Sequence, residues 1–98
     1  MDETAVQEMI RELTGHNMRA GTLRSKACEE LGELSDVLKA NNTDDLRGRE
    51  PLARLVEETA DVFIMIKQIC IAFNIVDEVA AMVWYKLART RREIAEEK

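Results

Sequence analysis

The chain has 98 residues, with 14 basic side chains against 19 acidic ones and a net charge of -5 at pH 7. That balance argues against a general binder of nucleic-acid polymers, which needs basic patches to displace counterions. Hydrophobic residues at 46% exclude a disordered chain, and four glycines and one proline leave little material for the turns of a sandwich or barrel.

Apolar residues recur at helical spacing in four segments, and no segment alternates strictly. The first helix is expected from Glu3 to Leu13, with Val6, Met9, Ile10 and Leu13 on one stripe. Thr14-Gly15 should stop it, leaving His16 to Gly21 as a connection. The second helix should run from Thr22 to Ala40, with a stripe of Leu23, Ala27, Leu31, Leu34, Val37 and Leu38. Asn41 and Asn42 suit its end, because Asn tolerates left-handed geometry. A polar loop from Asn41 to Glu50 follows. Pro51 then fits the first turn of a third helix reaching Phe73. Asn74 ends that helix, and Asp77 is the expected cap of a fourth, which runs to Glu96.

The expected fold class is all-α: a single domain over residues 1–98, built as a four-to-five-helix bundle completed by oligomerisation. Oligomerisation is inferred from the third helix. Leu52, Val56 and Phe63 lie on one side of it, Leu55, Val62, Ile66 and Ile69 on another, and Met65 and Ala72 nearly opposite the first. A helix that is apolar all round is buried all round, and a chain this short has few elements to surround it. The alternative is a well-covered monomer core.

No signal peptide is visible, because MDETAVQEMIRE is acidic and lacks an apolar block. The window from Val62 to Val76 is interrupted by Lys67, Gln68 and Asn74, too polar to span a bilayer. Cys28 and Cys70 fit reduced core residues of a cytoplasmic protein.

Acidic pairs three residues apart are common by chance in so acidic a chain, so position must single out the informative ones. Glu30 falls inside the apolar stripe of the second helix, with Glu33 and Lys26 on its margin. Glu58 projects between Met65 and Ile69 on the third helix, and Asp61 lies one turn on, near Gln68 and Arg54. On the fourth, Lys86 projects between Met82 and Val79, with Arg89 and Glu93 beside it. Asp36, Glu93 and Glu96 fit a solvated surface. An ionised carboxylate in an apolar face is costly unless paired or bound to metal. Glu30, Glu33, Glu58 and Asp61 therefore suit a hard divalent cation, Mg²⁺ foremost and Mn²⁺ as a substitute. Lys26, Lys86 and Arg89 would then balance phosphate oxygens. The competing reading is a buried salt-bridge network joining Glu30, Glu58 and Lys86. His16 stands alone as a histidine, and no glycine-rich phosphate loop is present. Trp84, beside Leu87 and Ala80, is expected in the core.

The run Glu29-Glu30-Leu31-Gly32-Glu33 and then, with 24 residues separating Glu33 from Glu58, Glu58-Thr59-Ala60-Asp61 resembles the ExxE and ExxD signature of the MazG-like all-α nucleoside triphosphate pyrophosphohydrolases. KACEELGELSDVL, LVEETADVFIMIKQI and YKLARTRREI extend the likeness over about Arg19 to Ile94. The resemblance implies cleavage of nucleoside triphosphates to monophosphate and pyrophosphate, with Mg²⁺ held by Glu30, Glu33, Glu58 and Asp61. It also implies Lys86 and Arg89 on phosphate oxygens, Glu29 or Glu57 as an assisting group, and a homo-oligomer, either a dimer or a dimer of dimers. Trp84 stands where many relatives carry Asn. The reading outside this class is a non-catalytic helical module for oligomerisation or nucleotide binding.

Overall fold

The computed structural model describes residues 2–40 and 49–97. It contains four helices: α1 Glu3–Ala20, α2 Leu23–Ala40, α3 Arg49–Ala72 and α4 Val76–Glu96. No strand occurs among the described residues. The expected loop from Asn41 to Glu50 lies outside them up to residue 48. α3 starts at Arg49, so Pro51 still stands in its first turn, where no intrahelical N–H is lost.

Asp2 caps α1 by accepting a hydrogen bond from the Ala5 N–H at 2.8 Å. α1 does not stop at Thr14-Gly15, as expected, but continues to Ala20. Thr14 donates its hydroxyl to the Ile10 carbonyl at 2.7 Å, which satisfies it inside the helix. One glycine within a helix costs only about 1 kcal/mol. The stop is Gly21, at φ 70°, a left-handed conformation that glycine adopts without Cβ strain. There Gly21 N–H bonds the Met18 carbonyl and Thr22 N–H the Asn17 carbonyl, a Schellman closure. The same closure ends α3. Asn74 sits at φ 54°, its N–H on the Ile71 carbonyl, and Ile75 N–H bonds the Cys70 carbonyl. α4 then begins at once from Ile75, which offers no side-chain cap. Asp77 is thus not the cap; it lies in the first turn beside Glu78, where negative charge favours the helix N-terminus.

α2 and α1 pack on α3, which is the centre of the fold. Leu23, Ala27 and Met65 form the joint between α2 and α3, with Ile69 and Ala72 against them. Ile10, Val37, Val62 and Cys70 are also buried. Cys28 is exposed, contrary to expectation, and both cysteines are free.

α4 touches only α3, and every described residue of α4 is exposed. Val76, Val79, Val83, Leu87 and Ile94 line one stripe that no other described element covers. Trp84 is 78% exposed and not in the core. On α3, Leu52, Val56, Phe63 and Ile66 are likewise uncovered among the described residues. The accessible surface is 8155 Å², against about 5,700 Å² for a folded monomer of this mass. The radius of gyration is 16.6 Å, against roughly 12.6 Å for a globular chain of this length.

The joint at Leu23 gives a direct stability test. Leu23→Ala should lower unfolding free energy by about 2–5 kcal/mol, because it leaves a cavity against Met65. Urea denaturation should show a lower midpoint at constant slope. An unchanged midpoint would contradict this packing.

Candidate metal centre

Glu30 and Glu33 stand one turn apart on α2, and Glu58 and Asp61 one turn apart on α3. The packing of α2 on α3 brings all four together. One carboxylate oxygen from each lies within 4.8 Å of the others. All four residues are half-buried. Glu30 Oε2 and Glu58 Oε2 are shielded from solvent and have no hydrogen-bond partner.

This arrangement is costly for the bare protein. Desolvation raises the Glu30 carboxyl from its ordinary 4.5 to about 7, and the negative charges of Asp61, Glu33 and Glu58 push in the same direction. Glu58 is raised too, first by desolvation, then by its hydrogen bond and charge contact with Glu33 and by the charges of Asp61 and Glu57. A dication would offset both the desolvation cost and the mutual repulsion. Two orphaned, buried carboxylate oxygens from facing helices are the donors a hard cation takes, at 2.0–2.1 Å for Mg²⁺ in general. The residues present fit such an ion.

The cationic residues are distributed differently from expectation. Lys26 does stand by the quartet. It lines a recess of about 330 Å³ together with Leu13, Asn17, Glu29, Glu30, Asp61, Ile64, Met65 and Gln68. Its ammonium donates to Asn17 Oδ1 at 3.1 Å. Lys86 and Arg89 are not brought to the carboxylates, because α4 leaves the turn at Asn74 and packs only on α3. Arg89 instead sits over the Tyr85 ring at 5.8 Å and approaches Glu93 at 3.8 Å, all on its own helix. A salt-bridge network of Glu30, Glu58 and Lys86 is therefore not formed within the chain. His16 lies on α1, exposed, rather than in a loop. Asp36, Glu93 and Glu96 are exposed as expected.

Sequence reasoning missed Asn17. It is 1% exposed and donates from Nδ2 to Gln68 Oε1 at 2.7 Å; Gln68 is also 1% exposed. The signal was available: Ile10, Thr14 and Asn17 are spaced i, i+4, i+7 on one helix face. Ending α1 at Leu13 hid that face. Gln68 was visible as a polar break in an apolar run.

Compared with known proteins, the chain matches no family model, no curated protein and no solved structure. Among the described residues no helix is long and apolar enough to cross a membrane.

The raised carboxyl fixes a pH dependence. The folded chain holds the Glu30 proton more tightly than the unfolded chain, so its stabilising contribution is complete below pH 4.5 and is lost as pH rises through about 7. In EDTA the melting temperature should therefore fall between pH 5 and pH 8, and Glu30→Gln should flatten much of that fall. With millimolar Mg²⁺ the loss at pH 8 should be recovered, since metal binding favours the ionised carboxylates. A flat profile in EDTA for the unsubstituted protein would contradict this account.

Proposed function

We propose that the protein is a Mg²⁺-dependent nucleoside triphosphate pyrophosphohydrolase, converting an NTP or dNTP and water to the monophosphate and pyrophosphate, in a role such as nucleotide-pool sanitation. The observation that carries the reading is the quartet Glu30, Glu33, Glu58 and Asp61, with two orphaned buried oxygens, opening beside a recess of ligand size. The order and spacing of ExxE and ExxD, which resemble the MazG-like enzymes, add the reaction class.

Bound Mg²⁺, or Mn²⁺ in its place, would supply charge neutralisation on the phosphates and an acidified water. The chain's own part follows from its residues. Glu30, Glu33, Glu58 and Asp61 would hold the cation. Glu29, which lines the recess beside Glu30, accepts the proton of the attacking water. That water forms the new bond to the α-phosphorus, and the bond from the α-phosphorus to the bridging oxygen breaks, so both electrons leave with pyrophosphate. Lys26 places a positive charge on the recess wall, where it balances phosphate oxygens.

Lys86 and Arg89 join the phosphate site only if α4 reaches it from a second copy. A homo-oligomer, dimer or dimer of dimers, is supported by the bare stripe on α4 and the bare face of α3. The surplus surface, roughly 2,400 Å² per chain over a folded monomer, matches what an obligate homodimer covers.

Two experiments test the reading. Incubation with a panel of ribo- and deoxyribonucleoside triphosphates should yield monophosphate and pyrophosphate with Mg²⁺ and nothing with EDTA. Asp61→Asn should lower the rate by at least the roughly 10–100-fold that loss of even an outer-sphere partner costs a metal site. Diphosphate and orthophosphate as products would overturn the bond assignment, and a fully active Asp61→Asn protein would overturn the site. For the assembly, light scattering at micromolar concentration should give a multiple of 11.2 kDa, with the melting temperature rising with protein concentration. A monomer stable at micromolar concentration would contradict it.

A further inference from the structure

The recess beside the quartet has a polar floor of unusual order. Lys26 Nζ donates to Asn17 Oδ1 at 3.1 Å. Asn17 Nδ2 donates to Gln68 Oε1 at 2.7 Å. Gln68 Nε2 then meets the Met65 thioether at 3.2 Å. The direction of this relay follows from chemistry. An ammonium has only donors, so the Asn17 oxygen must face Lys26. The Asn17 nitrogen must then face Gln68, whose oxygen receives it. That leaves the Gln68 amide nitrogen, with two hydrogens, at the far end.

Its partner there is a thioether, a weak acceptor. Asn17 and Gln68 are each 1% exposed, and a buried amide donor ordinarily finds an oxygen. A relay serving only to tie α1 to α3 would be expected to close on one. This one ends on sulfur in a recess of about 330 Å³, at the lower end of the range for small-molecule sites. Leu13, Ile64 and Met65 supply apolar walls, and Glu30 and Asp61 stand on the same rim. A planar ring seated against the apolar walls would have its phosphates at the carboxylates.

We propose that the Lys26–Asn17–Gln68 relay selects the nucleobase, favouring a ring that presents a carbonyl oxygen to the Gln68 amide and disfavouring adenine, which has no carbonyl. The proposal rests on the nucleotide reading above and adds its specificity. With adenine in the same pose, the exocyclic amine meets the Gln68 amide donor to donor, and the hydrogen bond that a carbonyl would accept is not made. Sites built around such a hydrogen bond reject analogues lacking it far more strongly than apolar pockets reject a missing methylene. Lys26 and Asn17 act as positioning residues: they set which end of the Gln68 amide faces the ligand.

The test is equilibrium binding of IMP and AMP in the presence of Mg²⁺. Hypoxanthine and adenine differ in their six-position group and the adjacent ring proton. Monophosphates have no α–β bond to cleave, so binding is read whether or not triphosphates are turned over. The full-length protein should bind IMP at least 10-fold more tightly than AMP. Asn17→Asp keeps the contact to Lys26 but presents an oxygen to Gln68, which must turn its own oxygen outward. In that variant the preference should vanish or reverse. Lys26→Met, a change at an exposed residue, removes the ammonium that fixes the relay and should shrink the preference without reversing it. The proposal is overturned if IMP and AMP bind equally, if neither binds, or if both variants keep the original preference. Metal-dependent pyrophosphate release alongside any of those results would leave the hydrolase reading standing and remove only the specificity.

Discussion

Four carboxylates held within 4.8 Å of one another are the constraint around which the rest of the structure is arranged. Such a cluster opposes folding in the bare chain, because desolvation and mutual repulsion both disfavour the charged forms. It forms nevertheless, because the apolar joint of Leu23, Ala27 and Met65 fixes α2 against α3 and carries the two acidic turns into register. The stabilising part of the interface and its destabilising part are thus on the same two helices. With no salt bridge from Lys86, desolvation and the neighbouring carboxylates raise the Glu30 carboxyl to about 7, which is the property a bound cation would reverse.

The second constraint is that, among the described residues, two apolar faces are left uncovered. α4 extends from the Asn74 turn with a full stripe of aliphatic residues exposed, and α3 offers an uncovered apolar face. The two features are complementary in kind. In the proposed oligomer they meet between copies, and Lys86 and Arg89 then travel with α4 toward a neighbouring site. The acidic quartet belongs to one chain, whereas its cationic complement would be shared.

Much of this was legible in the sequence, for physical reasons. Helical periodicity located α2, α3 and α4 closely, because a 3.6-residue pattern over many turns is hard to mistake. The quartet was legible because charged groups inside apolar stripes are rare and must be accounted for. The end of α1 was misread. Thr14-Gly15 looks like a stop, but a threonine that back-bonds to Ile10 and a single glycine are tolerated within a packed helix. That error concealed Asn17 and, with it, the relay to Gln68. Trp84 was misplaced for a different reason: spacing marks an apolar side of a helix but does not say whether the chain's other helices pack on that side, and here Trp84 is 78% exposed. The position of Lys86 and Arg89 depends on that same tertiary fact and could not be read from spacing.

The most direct test of the central claim is calorimetric titration of the metal-free protein with Mg²⁺ or Mn²⁺ near pH 7, in buffers of differing ionisation enthalpy. Binding that displaces the Glu30 proton should release protons as the cation enters, and Glu30→Gln should bind more weakly with less proton release. Absence of binding at millimolar metal, or binding that Glu30→Gln leaves untouched, would contradict the assignment of the quartet as a metal centre.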